Sequence, residues 1–218
     1  IHPTEGFIPP DVFIEIAEQT GLIQPLTDWV LRTAIEQCSA WLKMGVHITV
    51  SVNLSARNLH DETLCQQISN LLNYWNIPPD QLCLEITETS MMTDPEHARL
   101  LLDGLDKLGV RISIDDFGTG YSSLAFLKEL PVDELKVDKS FVLNMSTDES
   151  DASIVRATVG LAHDLGLEVV AEGVEDQDSQ DTLQKLGCEF IQGYHFARPM
   201  PVSDLTPMLI DDKASNDE

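Results

Sequence analysis

Residues 112–124 read ISIDDFGTGYSSL, an apolar run that ends in Asp115 and Asp116 and spills into a segment of glycines and hydroxyl side chains. Adjacent carboxylates repel each other and lose hydration when partly buried. Such a pair at a strand end calls for a counter-charge, most simply a divalent cation. Asp, Gly and Ser are also ordinary turn residues, and an aspartate pair can cap a following helix. Taken alone, the pair leaves both roles open, and the chemistry at other strand ends has to decide.

The elements that would position such a site are legible. Six short apolar or β-branched runs, at about 47–54, 81–87, 110–115, 134–137, 167–171 and 189–194, alternate with helical patterns. Alternation of this kind argues for βα units and a parallel sheet, and the apolar character suits strands covered on both faces. In order, the runs end in Asn53, Glu85, Asp115 with Asp116, Lys136, Glu172 with Glu175 just beyond, and Gln192. Parallel α/β folds place their sites at the carboxyl ends of the strands, and in a barrel those ends converge on one mouth.

Carboxylate and amide oxygens suit Mg²⁺, Mn²⁺ or Ca²⁺, and the absence of His and Cys ligand spacings disfavours structural zinc. Lys136 among the carboxylates can neutralise them, approach a phosphoryl oxygen or help position a water. A site rich in oxygen ligands and without a protein nucleophile fits metal-activated water attacking a phosphodiester, with two cations roughly 3.5–4 Å apart. Enolase-like proton abstraction by Lys136 is the other chemistry such a mouth can host. One lysine does not separate the two.

Several helices frame these strands. Residues 26–44 place Leu26, Trp29, Val30, Ala34, Cys38, Trp41 and Leu42 on one stripe, which assigns both tryptophans to the core. The patterns over 96–108 and 150–165 stop at Gly109 and Gly166, suitable residues for a helix C-terminus. A first helix follows Pro9 and Pro10, with Asp11 as its expected cap. Residues 208–218 form a polar tail after a domain spanning 1–207, with an acidic, frayed end from 211.

Composition narrows the partners. The 218 residues, 43% of them hydrophobic, suffice for one large core, and the mean hydropathy is -0.06. Thirty-seven acidic against thirteen basic side chains give a net charge of -24, which argues against duplex nucleic acid and anionic membrane as partners. A phosphate ligand would need cations to hold it. The four cysteines lie in apolar contexts without CxxC spacing, as reduced core thiols do, and point to the cytoplasm. No apolar run reaches the roughly 18–20 residues that span a bilayer, and no signal peptide opens the sequence, although a membrane segment on a longer parent protein fits equally. The six histidines show no HxxxH-type spacing and read as structural or surface residues, and no GxSxG elbow appears.

At this point the motifs HPTEGFIPPDVFIEIAEQTGLI, SVNLSARNL, LEITE, IDDFGTGYSSLAFLKELPVDELKVDKSFV, VVAEGVE and QGYHFARPMP carry a resemblance. In order and spacing, from residue 1 to about Pro201, the chain resembles the EAL domain, a family of bacterial cyclic di-GMP phosphodiesterases and receptors. The resemblance implies a TIM-type (β/α) barrel that cuts cyclic di-GMP to linear pGpG with Mg²⁺ or Mn²⁺. It further implies Ca²⁺ as an ion that binds without turnover, a homodimer through the domain, and upstream sensory or GGDEF-type domains. By position, Asn53, Glu85 and Asp115 resemble ligands of a first metal, with Asp115, Asp116 and Glu172 facing a second. Lys136 resembles the lysine beside the attacking water, Glu175 and Gln192 resemble pocket residues, and Glu88 matches the glutamate that anchors the loop at 117–123.

The sequence departs from the family in one respect. The name-giving Glu-Ala-Leu would lie just before His2 and Pro3, so two of eight strands, a metal-ligating glutamate and a phosphate-contacting arginine fall outside it. Either the residues belong to a longer chain that supplies them, and the domain is a phosphodiesterase, or the barrel is open and the domain is an inactive cyclic di-GMP receptor.

Overall fold

The computed structural model describes residues 2–120 and 124–216, without the side chains of 212–216. Six strands, β1 (Val50–Leu54), β2 (Leu82–Thr87), β3 (Arg111–Phe117), β4 (Glu134–Val137), β5 (Glu168–Glu172) and β6 (Phe190–Gln192), form one sheet in sequential order. Every neighbouring pair is parallel. Helices α1 (Pro10–Thr20), α2 (Ile23–Lys43), α3 (Leu64–Trp75), α4 (Glu88–Thr93), α5 (Pro95–Leu108), α6 (Leu124–Leu127), α7 (Lys139–Val142), α8 (Glu149–Asp164) and α9 (Gln177–Leu186) fill the connections, and α10 (Val202–Asn216) follows.

One face of each strand is apolar. Val52 and Leu54, Leu84 and Ile86, Ile112 and Ile114, Leu135 and Val137, and Val169 and Ala171 are all buried. They join the main core, against which α2 packs at β1, α5 at β3 and α8 at β4 and β5. The opposite face is not the apolar face expected from the sequence. Ser51, Cys83, Glu85, Arg111, Glu134, Lys136, Val170, Phe190 and Gln192 line a single cavity of about 350 Å³. A cavity touched by all six strands requires the sheet to curl, so the strands form a half-barrel with helices outside and a polar lumen inside. At its lower end Arg111 bridges Glu168 and, at 3.6 Å, Glu134.

Other expectations shift for local reasons. Helix α2 starts at Ile23 and buries Ile23, Thr27, Leu31, Ile35 and Cys38. The true stripe leaves Trp29 63% exposed while Trp41 is buried, so only the second tryptophan is core. Asp11 does not cap α1: Pro9 occupies that position and Asp11 lies in the first turn, where a carboxylate complements the helix dipole. Helix α10 runs through the boundary drawn between 207 and 208, and Trp41 Nε1 donates to Thr206 Oγ1 at 2.9 Å to hold it on α2. Among the described residues no helix is long and apolar enough to cross a membrane.

Candidate active site

Strand alternation sets the heights of the lumen side chains. Asn53, Glu85 and Ser113 are in register on β1, β2 and β3, while Thr87 pairs with Asp115 one step higher. Lys136 pairs with Val170, which leaves Glu172 two residues further up β5, beside Gln192. By register Glu85 is level with Ser113 and Glu134, so Lys136 stands two residues further up β4, between the heights of Glu85 and Glu172, and its long side chain can reach both.

Lys136 is the hub. Its Nζ lies 2.8 Å from Glu85 Oε2, 2.7 Å from Glu172 Oε1 and 3.4 Å from Asp115 Oδ1, with the lysine side chain only 4% exposed. Burial by itself would lower the pKa of the ammonium, but Glu85, Asp115 and Glu172 outweigh it and raise it above the ordinary lysine value. Lys136 therefore remains a cation at neutral pH and cannot serve as a free base in this state. Burial also raises the Glu172 carboxyl, with Lys136 opposing.

The aspartate pair depends on a backbone irregularity. Register shifts between Ile114 and Phe117, and Asp116 has φ 56°, a left-handed conformation that aspartate tolerates better than most residues. In a regular strand Asp116 would face away from Asp115. The bulge turns both into the mouth, where oxygens of Asp115, Asp116 and Glu172 all lie within 4.8 Å of one another. Burial, then the charges of Asp115 and Asp138, raise the Asp116 carboxyl. Three carboxylates, on Glu85, Asp115 and Glu172, pair with Lys136, and Asp116 adds a fourth beside Asp115 and Glu172. That excess of close, oxygen-only donors fits a hard divalent cation.

Glu88 does not join this cluster. It opens α4, is 2% exposed, and its Oε2 accepts from Gly118 N at 3.1 Å and Gly120 N at 3.4 Å, so it holds the loop after Asp116. A Cβ on Gly120 would come within 2.8 Å of Glu88 Oε1, so a larger residue there would push the carboxylate aside. Tyr121, Ser122 and Ser123 of the same loop lie outside the described residues.

Asn53 and Gln192 are exposed on β1 and β6 beside Glu85 and Glu172. Glu175 is exposed beyond β5, without a side-chain hydrogen bond or ion pair among the described residues. The fold brings these three to the same end of the sheet but not into the Lys136 network. Sequence reasoning missed Asp138, a buried carboxylate at the end of β4 that caps α7 by accepting from Ser140 N at 3.0 Å. Its signal was present in Lys136-Val137-Asp138, a carboxylate just past a strand-end lysine.

The family description "EAL domain" matches residues 1–199. The chain belongs to the EAL domain family. This EAL domain is 44% identical over 205 residues to the bifunctional diguanylate cyclase/cyclic di-GMP phosphodiesterase MucR of Pseudomonas aeruginosa, covering 94% of this chain and 30% of MucR. It is 42% identical over 210 residues to the cyclic di-GMP phosphodiesterase NbdA of the same organism, covering 95% of this chain and 27% of NbdA. The chain thus spans less than a third of the length of these relatives. A solved structure of the PaMucR phosphodiesterase in complex with c-di-GMP superposes with a TM-score of 0.90 at 44% identity, covering 94% of this chain and 83% of that one. The EAL domain is therefore of the TIM-barrel type, and its six parallel strands make up part of such a barrel.

Proposed function

We propose that this EAL domain hydrolyses cyclic di-GMP to linear pGpG with a divalent metal. The observation that supports this most is the cluster of Asp115, Asp116 and Glu172 oxygens around the Lys136 hub, on a chain 44% identical to a named cyclic di-GMP phosphodiesterase.

In this reading Asp115, Asp116 and Glu172 would hold one cation, and Glu85 and Asn53 with Asp115 would hold another. Bound there, Mg²⁺ or Mn²⁺ would supply an activated water and neutralise phosphoryl charge. The chain's own groups do the rest. Lys136 keeps Glu85, Asp115 and Glu172 from repelling one another and presents a fixed positive charge toward the phosphodiester. Glu88 fixes the backbone beyond Asp116 so that both aspartates keep their aim. Glu175 and Gln192, free at the rim, offer an acceptor and an amide to the incoming nucleotide or water. In the reaction the water oxygen gives up a proton as it bonds to phosphorus, the bond from phosphorus to ribose O3′ breaks, and the departing O3′ takes up a proton, so one water is divided between the new 5′-phosphate and the 3′-hydroxyl. Net charge matters too: with -24 on the chain, an anionic ligand is held by cations rather than by the protein's general field.

The test is incubation of the domain within its full-length protein with cyclic di-GMP and Mg²⁺ or Mn²⁺, with chromatography of the products. Metal-dependent pGpG is expected, and its loss in EDTA. Tight binding of cyclic di-GMP with no pGpG under any of these ions would place the domain among receptors instead. In Ca²⁺ we expect binding without turnover.

A further inference from the structure

We propose that His60, Asp94 and His97 form a second metal site, on the outer helical layer, for a borderline divalent cation of the zinc class. Sequence spacing gave no hint of it. The fold brings the His60 and His97 rings to 5.5 Å between centroids, and one ligand atom from each of His60, Asp94 and His97 lies within 4.8 Å of the others.

The distances suit the cation. His97 Nδ1 stands 3.0 Å from Asp94 Oδ2. A tetrahedral Zn²⁺ with bonds of about 2.0–2.1 Å separates its ligands by about 3.3 Å, so these two need little movement. The two oxygens of Asp94 have separate tasks. Oδ1 caps α5 by accepting from His97 N at 3.2 Å, which leaves Oδ2 to face the ring. A helix cap accounts for Asp94 and His97, yet it does not account for His60, which arrives from another element.

The turn that carries His60 packs on α5, the same helix that Asp94 caps. His60 ends this short 3₁₀ turn (Asn58–His60), whose Leu59 is buried. Asp61 and Glu62 line the same hollow, of about 240 Å³, and add negative potential around it. Imidazole favours Zn²⁺, Ni²⁺ or Co²⁺ over Mg²⁺ and Ca²⁺, while the barrel mouth offers oxygen alone. The two sites therefore sort cations by softness. A metal here would also staple the turn after β1, the strand of Asn53, to the helix that follows Glu85 and Glu88.

The test is titration of the purified protein with Co²⁺ in millimolar Mg²⁺, which occupies oxygen sites, while the visible d–d absorption is read. One saturable equivalent with visible bands is expected, weakened at least about tenfold in His60→Gln and in His97→Gln. Zn²⁺ should raise the melting temperature of the parent protein but not of His60→Gln. Both histidines are exposed, so metal-free melting of the variants should match the parent and separates a lost site from a lost fold. Absence of visible bands in the parent protein overturns the proposal. So does an unchanged signal in His60→Gln, which would leave Asp94 and His97 as a helix cap alone, or a signal that disappears only in Asp115→Asn.

Discussion

Lys136 on β4 donates to Glu85 on β2 at 2.8 Å, reaching past the whole of β3. The contact exists because the sheet curls, which brings the lumen side chains of β2 and β4 within reach of each other across β3. It makes the cluster a single electrostatic unit, so the consequences of altering one member are calculable in direction.

Lys136→Met removes the ammonium that pairs with Glu85, Asp115 and Glu172. Breaking a buried ion pair on one side typically costs about 3–5 kcal/mol. We expect the metal-free variant to lose stability of that order in urea unfolding at neutral pH. Millimolar Mg²⁺ should restore a larger part of the stability in the variant than it adds to the parent. Turnover of cyclic di-GMP should fall by about 100-fold or more.

Asp116→Asn has the opposite effect on stability. The Asp116 carboxyl is raised by burial and by Asp115 and Asp138, so its charged form is disfavoured in the fold. Asparagine keeps the left-handed backbone that φ 56° requires and removes the repulsion. The metal-free melting temperature should rise, while turnover is lost. A fall in melting temperature would show that repulsion is not what Asp116 contributes.

The pH dependence follows from two groups of carboxyls with opposite signs. Asp116, Glu134 and Glu172 are raised chiefly by burial. The folded state then binds more protons than the unfolded one, so stability increases as pH falls through their folded values toward the model-peptide values of 3.8 and 4.5. Asp94 and Asp176 are lowered, first by backbone N–H groups of His97 and Ser179. Their contribution is present above 3.8 and is lost as pH falls through their folded values. Metal-free melting temperature should therefore climb on mild acidification from neutrality and collapse at lower pH. Saturating Mg²⁺ should flatten the climb, because a bound cation replaces the protons.

Glu88→Ala should loosen the loop without touching the Lys136 network. Hydrogen bonds to a charged acceptor are worth about 1.5–3 kcal/mol. Amide exchange at Gly118 and Gly120 should accelerate about 10-fold or more, and metal affinity should weaken. Glu88→Gln, which retains an acceptor oxygen, should lie between the two. Unchanged exchange at both glycines in Glu88→Ala would remove Glu88 from this role.

The sequence by itself determined which residues end the strands, because that is a local property. Runs such as Ile112-Ser113-Ile114 must pair to satisfy their backbones, and a parallel sheet gathers the residues near its carboxyl ends at one mouth. Asn53, Glu85, Asp115, Lys136, Glu172 and Gln192 were therefore legible, as was the EAL family that the fold and the relatives show. The tertiary structure decided what local pattern could not. The bulge that turns Asp116 toward Asp115 arises from the register of β3 against β4, and the meeting of Glu85 with Lys136 across β3 arises from curvature of the whole sheet. Trp29 faces outward because α2 buries the stripe of Ile23, Thr27, Leu31 and Ile35, a choice made by the partner surface rather than by hydrophobicity. For the same reason Asp138, which reads locally as a helix cap, becomes part of the charge balance at Asp116. Spacing along a chain fixes the backbone period; proximity of residues far apart in it is fixed only when the elements pack.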